Sequence, residues 1–113
     1  MPKRLYSLTK KKDFDNVFKL GYSSYDKILG LKTIDNHLSY NRVGIIIGTK
    51  ISKKATERNK IKRQIREILR KFLLSTSTSR DMVLICLSPI KEANHQVIEQ
   101  IISRLLKKQK LLN

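Results

Sequence analysis

A single cysteine, no tryptophan and only nine acidic residues against twenty-five lysines and arginines set the limits of this 113-residue chain. With Cys86 alone, no disulfide can form within the chain, and its place in the apolar run Met82–Leu87 marks it as a buried strand residue. No apolar run approaches the ~18 residues of a membrane span. The N-terminus MPKRLYSLTKKK also lacks the apolar core of a secretory signal, so the chain reads as cytoplasmic, with no membrane partner. The acids are scattered: Asp13 and Asp15 lie two apart on a helix and so point away from each other. His37 falls in a loop and His95 near a helix start, and both read as surface residues. Metal-ligand clusters, glycine-rich phosphate loops and nucleophile elbows are all missing, so neither catalytic residues nor a metal held by the protein is expected.

What the chain has in excess is positive charge, +16 on one small domain spanning residues 1–113. Half of it sits between Lys50 and Lys71 (KISKKATERNKIKRQIREILRK), which holds ten lysines or arginines and two glutamates. Ile61, Ile65, Ile68 and Phe72 recur there with the period of one helix face, with Leu69 alongside, and that face should be buried. At about 100° per residue, Asn59, Lys62, Arg63, Arg66 and Arg70 fall on roughly the opposite side. Charge runs on amphipathic helices are usually solvated surface. Here the like charges crowd at i, i+3 and i, i+4, where they repel, and a polyanion is the natural counter-charge. A lipid surface fits less well, because the apolar face lacks tryptophan and is needed for the core. Guanidinium forks pair with phosphates in bidentate fashion, so nucleic acid is the expected partner.

The ordered set Lys53, Lys54, Ala55, Glu57, Arg58, Asn59, Lys60, Ile61, Lys62, Arg63 and Arg66 resembles the Arg-Asn-Arg helix of the bacterial ribonuclease P protein component. The third member of the triplet is Lys60 here, which keeps the charge and loses the fork. Asp13-Phe14 with Val17-Phe18 resembles the first helix of that family, and Arg42-Val43-Gly44 the strand leading into the motif. The resemblance implies an accessory subunit of a tRNA-processing endonuclease in which the catalyst is a large RNA with bound magnesium ions. Hydrolysis removes the 5′ leader of precursor tRNA, the protein binds no cofactor, and no protein partner is required. By position, it implies RNA-subunit contacts at Lys53, Lys54, Arg58, Asn59, Lys60, Lys62, Arg63, Arg66 and Arg70. A cleft for the single-stranded leader would use Phe14, Phe18, Lys27, Lys32 and Lys50, with bases stacking on aromatics and lysines tracking phosphates. A small basic ribosomal protein that binds structured RNA is the alternative with the same size and charge.

Read in order, residues 1–8 form a partly mobile basic arm whose second half Leu5, Tyr6 and Leu8 can pin. A helix is expected over Lys10–Leu20 with Ser7 or Thr9 as cap and Gly21 as stop, then a turn to Asp26. Strands follow at Ile28–Ile34 and Arg42–Gly48, the second with both faces covered. Next come the cationic helix, capped by Ser52 or Thr56, the loop STSTS, a strand at Met82–Leu87 and a helix at Asn94–Lys108. The order helix, strands, helix, strand, helix gives an α/β (α+β) two-layer sandwich. A strand-helix-strand unit is right-handed by default. The resemblance implies instead a left-handed crossover and a four-stranded sheet, as in one domain of a small-subunit ribosomal protein.

Overall fold

The computed structural model describes residues 5–73, 76 and 78–112. The first half of the expected arm and three residues of the STSTS neighbourhood lie outside that range. The elements run β1 (Tyr6–Ser7), α1 (Lys11–Leu20), β2 (Tyr22–Tyr25), β3 (Leu29–Asp35), β4 (Arg42–Ile46), α2 (Ala55–Leu73), β5 (Arg80–Cys86) and α3 (His95–Lys108). A 3₁₀ turn at Ser88–Glu92 precedes α3.

The sheet has five strands in the order β1-β4-β5-β3-β2, where four were expected. The additional pairing comes from β1, whose two residues lie parallel to Arg42 and Val43 of β4 and fix the second half of the arm. β4 and β5 are adjacent and parallel, so α2 is the crossover between them, while β3 runs antiparallel to β5 and to β2. β2 occupies the segment expected as a turn. Its YSSY sequence offers no apolar alternation, and pairing with β3 decides its conformation.

Alternation along the strands sorts side chains onto two faces. Leu29, Leu31, Val43, Met82, Leu84 and Cys86 point to one face and pack with Ile65, Ile68 and Leu69 of α2 and Ile98, Ile102 and Leu105 of α3. This is the main core, a sheet and helix layer of the two-layer kind expected, to which α1 adds cover on the other side. On the other face α1 sets Val17 against Val83, together with Leu8, and covers only one end of the sheet. Ile46 is therefore exposed, so β4 is not covered on both faces as expected.

Helix ends follow local chemistry, with one substitution of role. Asn94 caps α3 by accepting from the Val97 amide at 2.9 Å, as its side-chain carbonyl permits. Neither Ser7 nor Thr9 caps α1; Lys10 holds that position and makes no side-chain cap bond. Ser52 accepts from the Lys54 amide at 3.2 Å just before α2, while Thr56 lies within the helix. Gly21 ends α1 with an ordinary extended backbone, φ −77°, so the left-handed region is not the reason for glycine. A Cβ there would meet the Val17 carbonyl and lie 2.8 Å from the Thr33 carbonyl oxygen. The glycine lets the helix end touch β3.

Arg42 ties α1 to the sheet. Its Nε and Nη2 donate to the two oxygens of buried Asp81 at 2.7 and 2.6 Å, and Nη1 reaches Asp13 on α1 at 3.2 Å. The Asp81 hydrogen bond foremost holds the guanidinium pKa above its ordinary value. Asn36 Nδ2 donates to the same carboxylate, which completes the fit of a charge taken out of water.

Candidate nucleic-acid interface

Helix α2 turns its buried side, Ile65, Ile68, Leu69 and Leu73, to the core. Lys53, Lys54, Asn59, Lys60, Arg63 and Arg70 are exposed on its outer surface and in the loop before it. None of the five cations among these is ion-paired with a carboxylate among the described residues; on α2, Lys71 alone is, to Glu99 at 2.9 Å. Lys62 and Arg66 do not lie opposite the core, as the helical period suggested, but half-buried on one shoulder. The buried arc runs from Ile65 through Leu69 to Leu73, and the shoulder beside it faces Leu5 and Cys86, whereas α3 meets the other flank of the helix at Gln64 and Lys71. Arg66 donates through Nη2 to the Leu5 carbonyl at 3.2 Å, and Lys62 is near enough to Cys86 for its charge to be felt there. Arg58 is half-buried too, with Nη1 donating to the Ser52 carbonyl at 2.9 Å, so it braces the loop that carries Lys53 and Lys54.

A groove opens where α1 leaves the sheet uncovered. Phe14 on its wall is half-buried, with the ring seated on Gly44, where a Cβ would lie 2.5 Å from two ring carbons. Phe18, one turn on, keeps 40% of its surface exposed. Lys32 rises from β3 on the same face and places Nζ 5.6 Å from the Phe18 ring centroid, within cation–π range. Ile46 and Ile85 contribute apolar floor, exposed and half-buried respectively. Lys27 in the β2–β3 turn and Lys50 beyond β4 are both exposed. Of the five leader-cleft residues expected from the sequence, Phe14 and Phe18 on α1 and Lys32 on β3 thus share one face of the sheet, while Lys27 and Lys50 sit in two loops.

Tyr25 was missed. It pairs with Gly30 in the β2–β3 ladder, and its ring covers the position a Gly30 Cβ would take. Only the pairing register reveals that it shares a face with Lys32, because YSSY carries no strand signal. The turn after it is tied at two points: Asp26 accepts from the Lys27 amide and from Arg104 of α3, at 2.6 and 2.9 Å. The Lys27 hydrogen bond foremost, then Arg104, hold the Asp26 carboxyl below its ordinary pKa, against the effect of burial.

The histidines take no part in the groove. His37 is exposed in a loop with φ 58°, and His95 Nδ1 pairs with Gln64 Nε2 at 2.9 Å. Among the described residues, no three His, Cys, Asp or Glu side chains gather as metal ligands would. Burial pushes the Cys86 thiol up to about 12, far from a nucleophile's range. No helix among the described residues is long and apolar enough to cross a membrane.

A family model described as Ribonuclease P matches residues 1–110. The ribonuclease P protein component of Streptococcus equi subsp. equi is 33% identical over 110 residues, covering 97% of this chain and 91% of its own length. That of Alkaliphilus metalliredigens is 32% identical over 106 residues, covering 94% and 95%. Among solved structures, the RNase P protein of Staphylococcus aureus superposes with a TM-score of 0.87 at 29% identity, covering 97% of this chain and all of that one. The Thermotoga maritima RNase P protein gives 0.80 at 30% identity, covering 90% and 96%.

Proposed function

Because the chain belongs to the ribonuclease P protein family, and so is the accessory protein subunit of an endoribonuclease whose partner is the ribonuclease P RNA, we propose a division of its surface. The outer face of α2 docks on that RNA, and the groove beside α1 holds the single-stranded 5′ leader of precursor tRNA. Lys53, Lys54, Asn59, Lys60, Arg63 and Arg70 supply phosphate contacts, with Lys62 and Arg66 on the shoulder and Arg58 bracing the loop. Phe18 stacks a base, Phe14 backs the wall, and Lys27, Lys32 and Lys50 track leader phosphates.

The observation that carries this reading is the coexistence of unpaired cations on α2 with an open, aromatic-walled groove on the opposite face of the sheet. Two distinct RNA surfaces suit a subunit that joins a catalyst to its substrate. Hydrolysis then belongs to the RNA and its magnesium ions, in the cytoplasm where precursor tRNA is made. The protein contributes fixed positive charge and grip.

Cleavage of precursor tRNA by the cognate RNA, titrated with magnesium, tests the proposal. With the protein present, half-maximal activity should come at lower magnesium than with the RNA alone; equal requirements would overturn it. Affinity capture should recover one large non-coding RNA, and recovery of assembled ribosomes would favour the ribosomal-protein reading instead.

A further inference from the structure

Tyr25 stands at the far side of the groove from α1 with half of its surface exposed, an unusual place for a large ring on an edge strand. Part of its role is structural, since an aromatic laid across a sheet glycine replaces the missing side-chain contact. That role needs one face of the ring and leaves the other open. The ring lies over Gly30; Lys32 is two residues further along β3, on the same face and about 7 Å away by strand rise. Beyond Lys32 stands Phe18. The order across the groove is therefore ring, ammonium, ring, and exposed Lys27 follows Tyr25 at the turn. Asp26, between Tyr25 and Lys27, is engaged by Arg104 and the Lys27 amide, so its charge is offset.

We infer that Tyr25 is a second stacking platform, taking the base of a leader nucleotide on the far side of Lys32 from the one stacked on Phe18. The inference rests on the leader-groove reading above and adds to it a specificity residue. A single strand repeats base and phosphate alternately, and Phe18, Lys32, Tyr25 and Lys27 present the matching alternation of π-face and cation. Preorganisation favours it as well. The ring is held by Gly30 on one side, and its turn is held by α3 through Arg104, so little ordering is left for binding to impose.

The test uses holoenzyme reconstituted with the cognate RNA and precursor tRNAs whose leaders lengthen one nucleotide at a time. In the parent protein, affinity should rise in steps as successive bases reach the rings. Tyr25→Leu should abolish one step, about tenfold in affinity, while leaving the Phe18 step and mature tRNA binding unchanged. Tyr25→Phe should restore the lost step, because stacking needs the ring and not the hydroxyl. Phe18→Leu should remove a different step.

Intact steps in Tyr25→Leu, with the Phe18 step lost in Phe18→Leu, would overturn the inference and leave the groove reading standing. Loss of neither step would overturn both. If Tyr25 only covers Gly30, the leucine variant should lower the urea midpoint and weaken precursor and mature tRNA together, and that outcome also overturns the inference.

Discussion

The Lys32 ammonium lies 5.6 Å from the Phe18 ring centroid, so a base that stacks on this ring, as proposed, would meet the cation as well. Phe18→Ala should therefore weaken precursor tRNA binding by ~1–3 kcal/mol and leave mature tRNA almost unaffected. Were Phe18 plain core, truncation would instead cost ~3–5 kcal/mol of folding stability, and every ligand would suffer. Phe18→Leu keeps most of the apolar volume, so that variant should fold and dock normally yet discriminate less between precursor and mature tRNA. Equilibrium binding of both tRNAs to each holoenzyme decides the matter.

Arg63 and Arg66 separate two roles that the sequence assigned together. Arg63 is exposed and unpaired, so Arg63→Ala should leave stability unchanged while flattening the salt dependence of RNA-subunit binding by about 0.7 to 0.9 in log–log slope. Arg66→Ala should also remove the bond to the Leu5 carbonyl and cost ~0.5–1.5 kcal/mol of stability. Salt titrations and urea melts of the two variants should give these different signatures; an unchanged slope in both would place the docking face elsewhere.

Removing Arg42 would strand the buried Asp81 carboxylate. Arg42→Ala should cost ~3–5 kcal/mol in urea unfolding, the scale for breaking a buried pair. Asp13→Asn touches only the partly exposed arm of the same network and should cost ~1 kcal/mol or less. A small effect of Arg42→Ala would mean that water reaches Asp81.

Gly21→Ala puts a methyl group against two carbonyl oxygens and should destabilise by ~1–3 kcal/mol. Because the strain falls where α1 meets β3, leader discrimination should fall with it, measured again as precursor against mature tRNA. An alanine variant of parental stability would show that the helix end shifts freely.

The Cys86 thiol, pushed up to about 12 from an ordinary 9.0 by burial, should resist aromatic disulfide reagents at pH 8 in the folded protein and react on unfolding. The sign follows from linkage: the native state favours the neutral thiol, so this contribution to stability is complete below pH 9.0 and is lost as pH rises toward about 12. Rapid labelling of native protein would contradict its burial.

Strong periodicity made α2, α3 and the core strands legible in advance. Ile65, Ile68 and Leu69 show their facing by spacing alone. What escaped was decided by distant parts of the chain. Tyr22–Tyr25 is a strand because β3 offers it a ladder, and Tyr6–Ser7 because β4 does. Phe14 and Phe18 share a sequence pattern, and only the glycine opposite Phe14 gives that ring a socket. The cationic residues of α2 are plain in the sequence, but which of them other segments engage is not. Arg58 and Arg66 spend bonds on the backbone of other segments, which no helical period encodes.

The pairing of acids has a consequence for handling the protein. Asp13, Asp26, Asp35, Asp81 and Glu99 are taken up in ion pairs, and four of these five carboxylates pair with arginines away from α2. The charge on the outer surface of α2 thus has little internal compensation, and its self-repulsion works against the folded state. Any anion that gathers there preferentially in the native form raises the melting temperature by mass action. Sulfate, heparin or stray cellular nucleic acid will each act as a stabiliser of this protein, and a melting temperature recorded without controlling them describes the buffer as much as the fold.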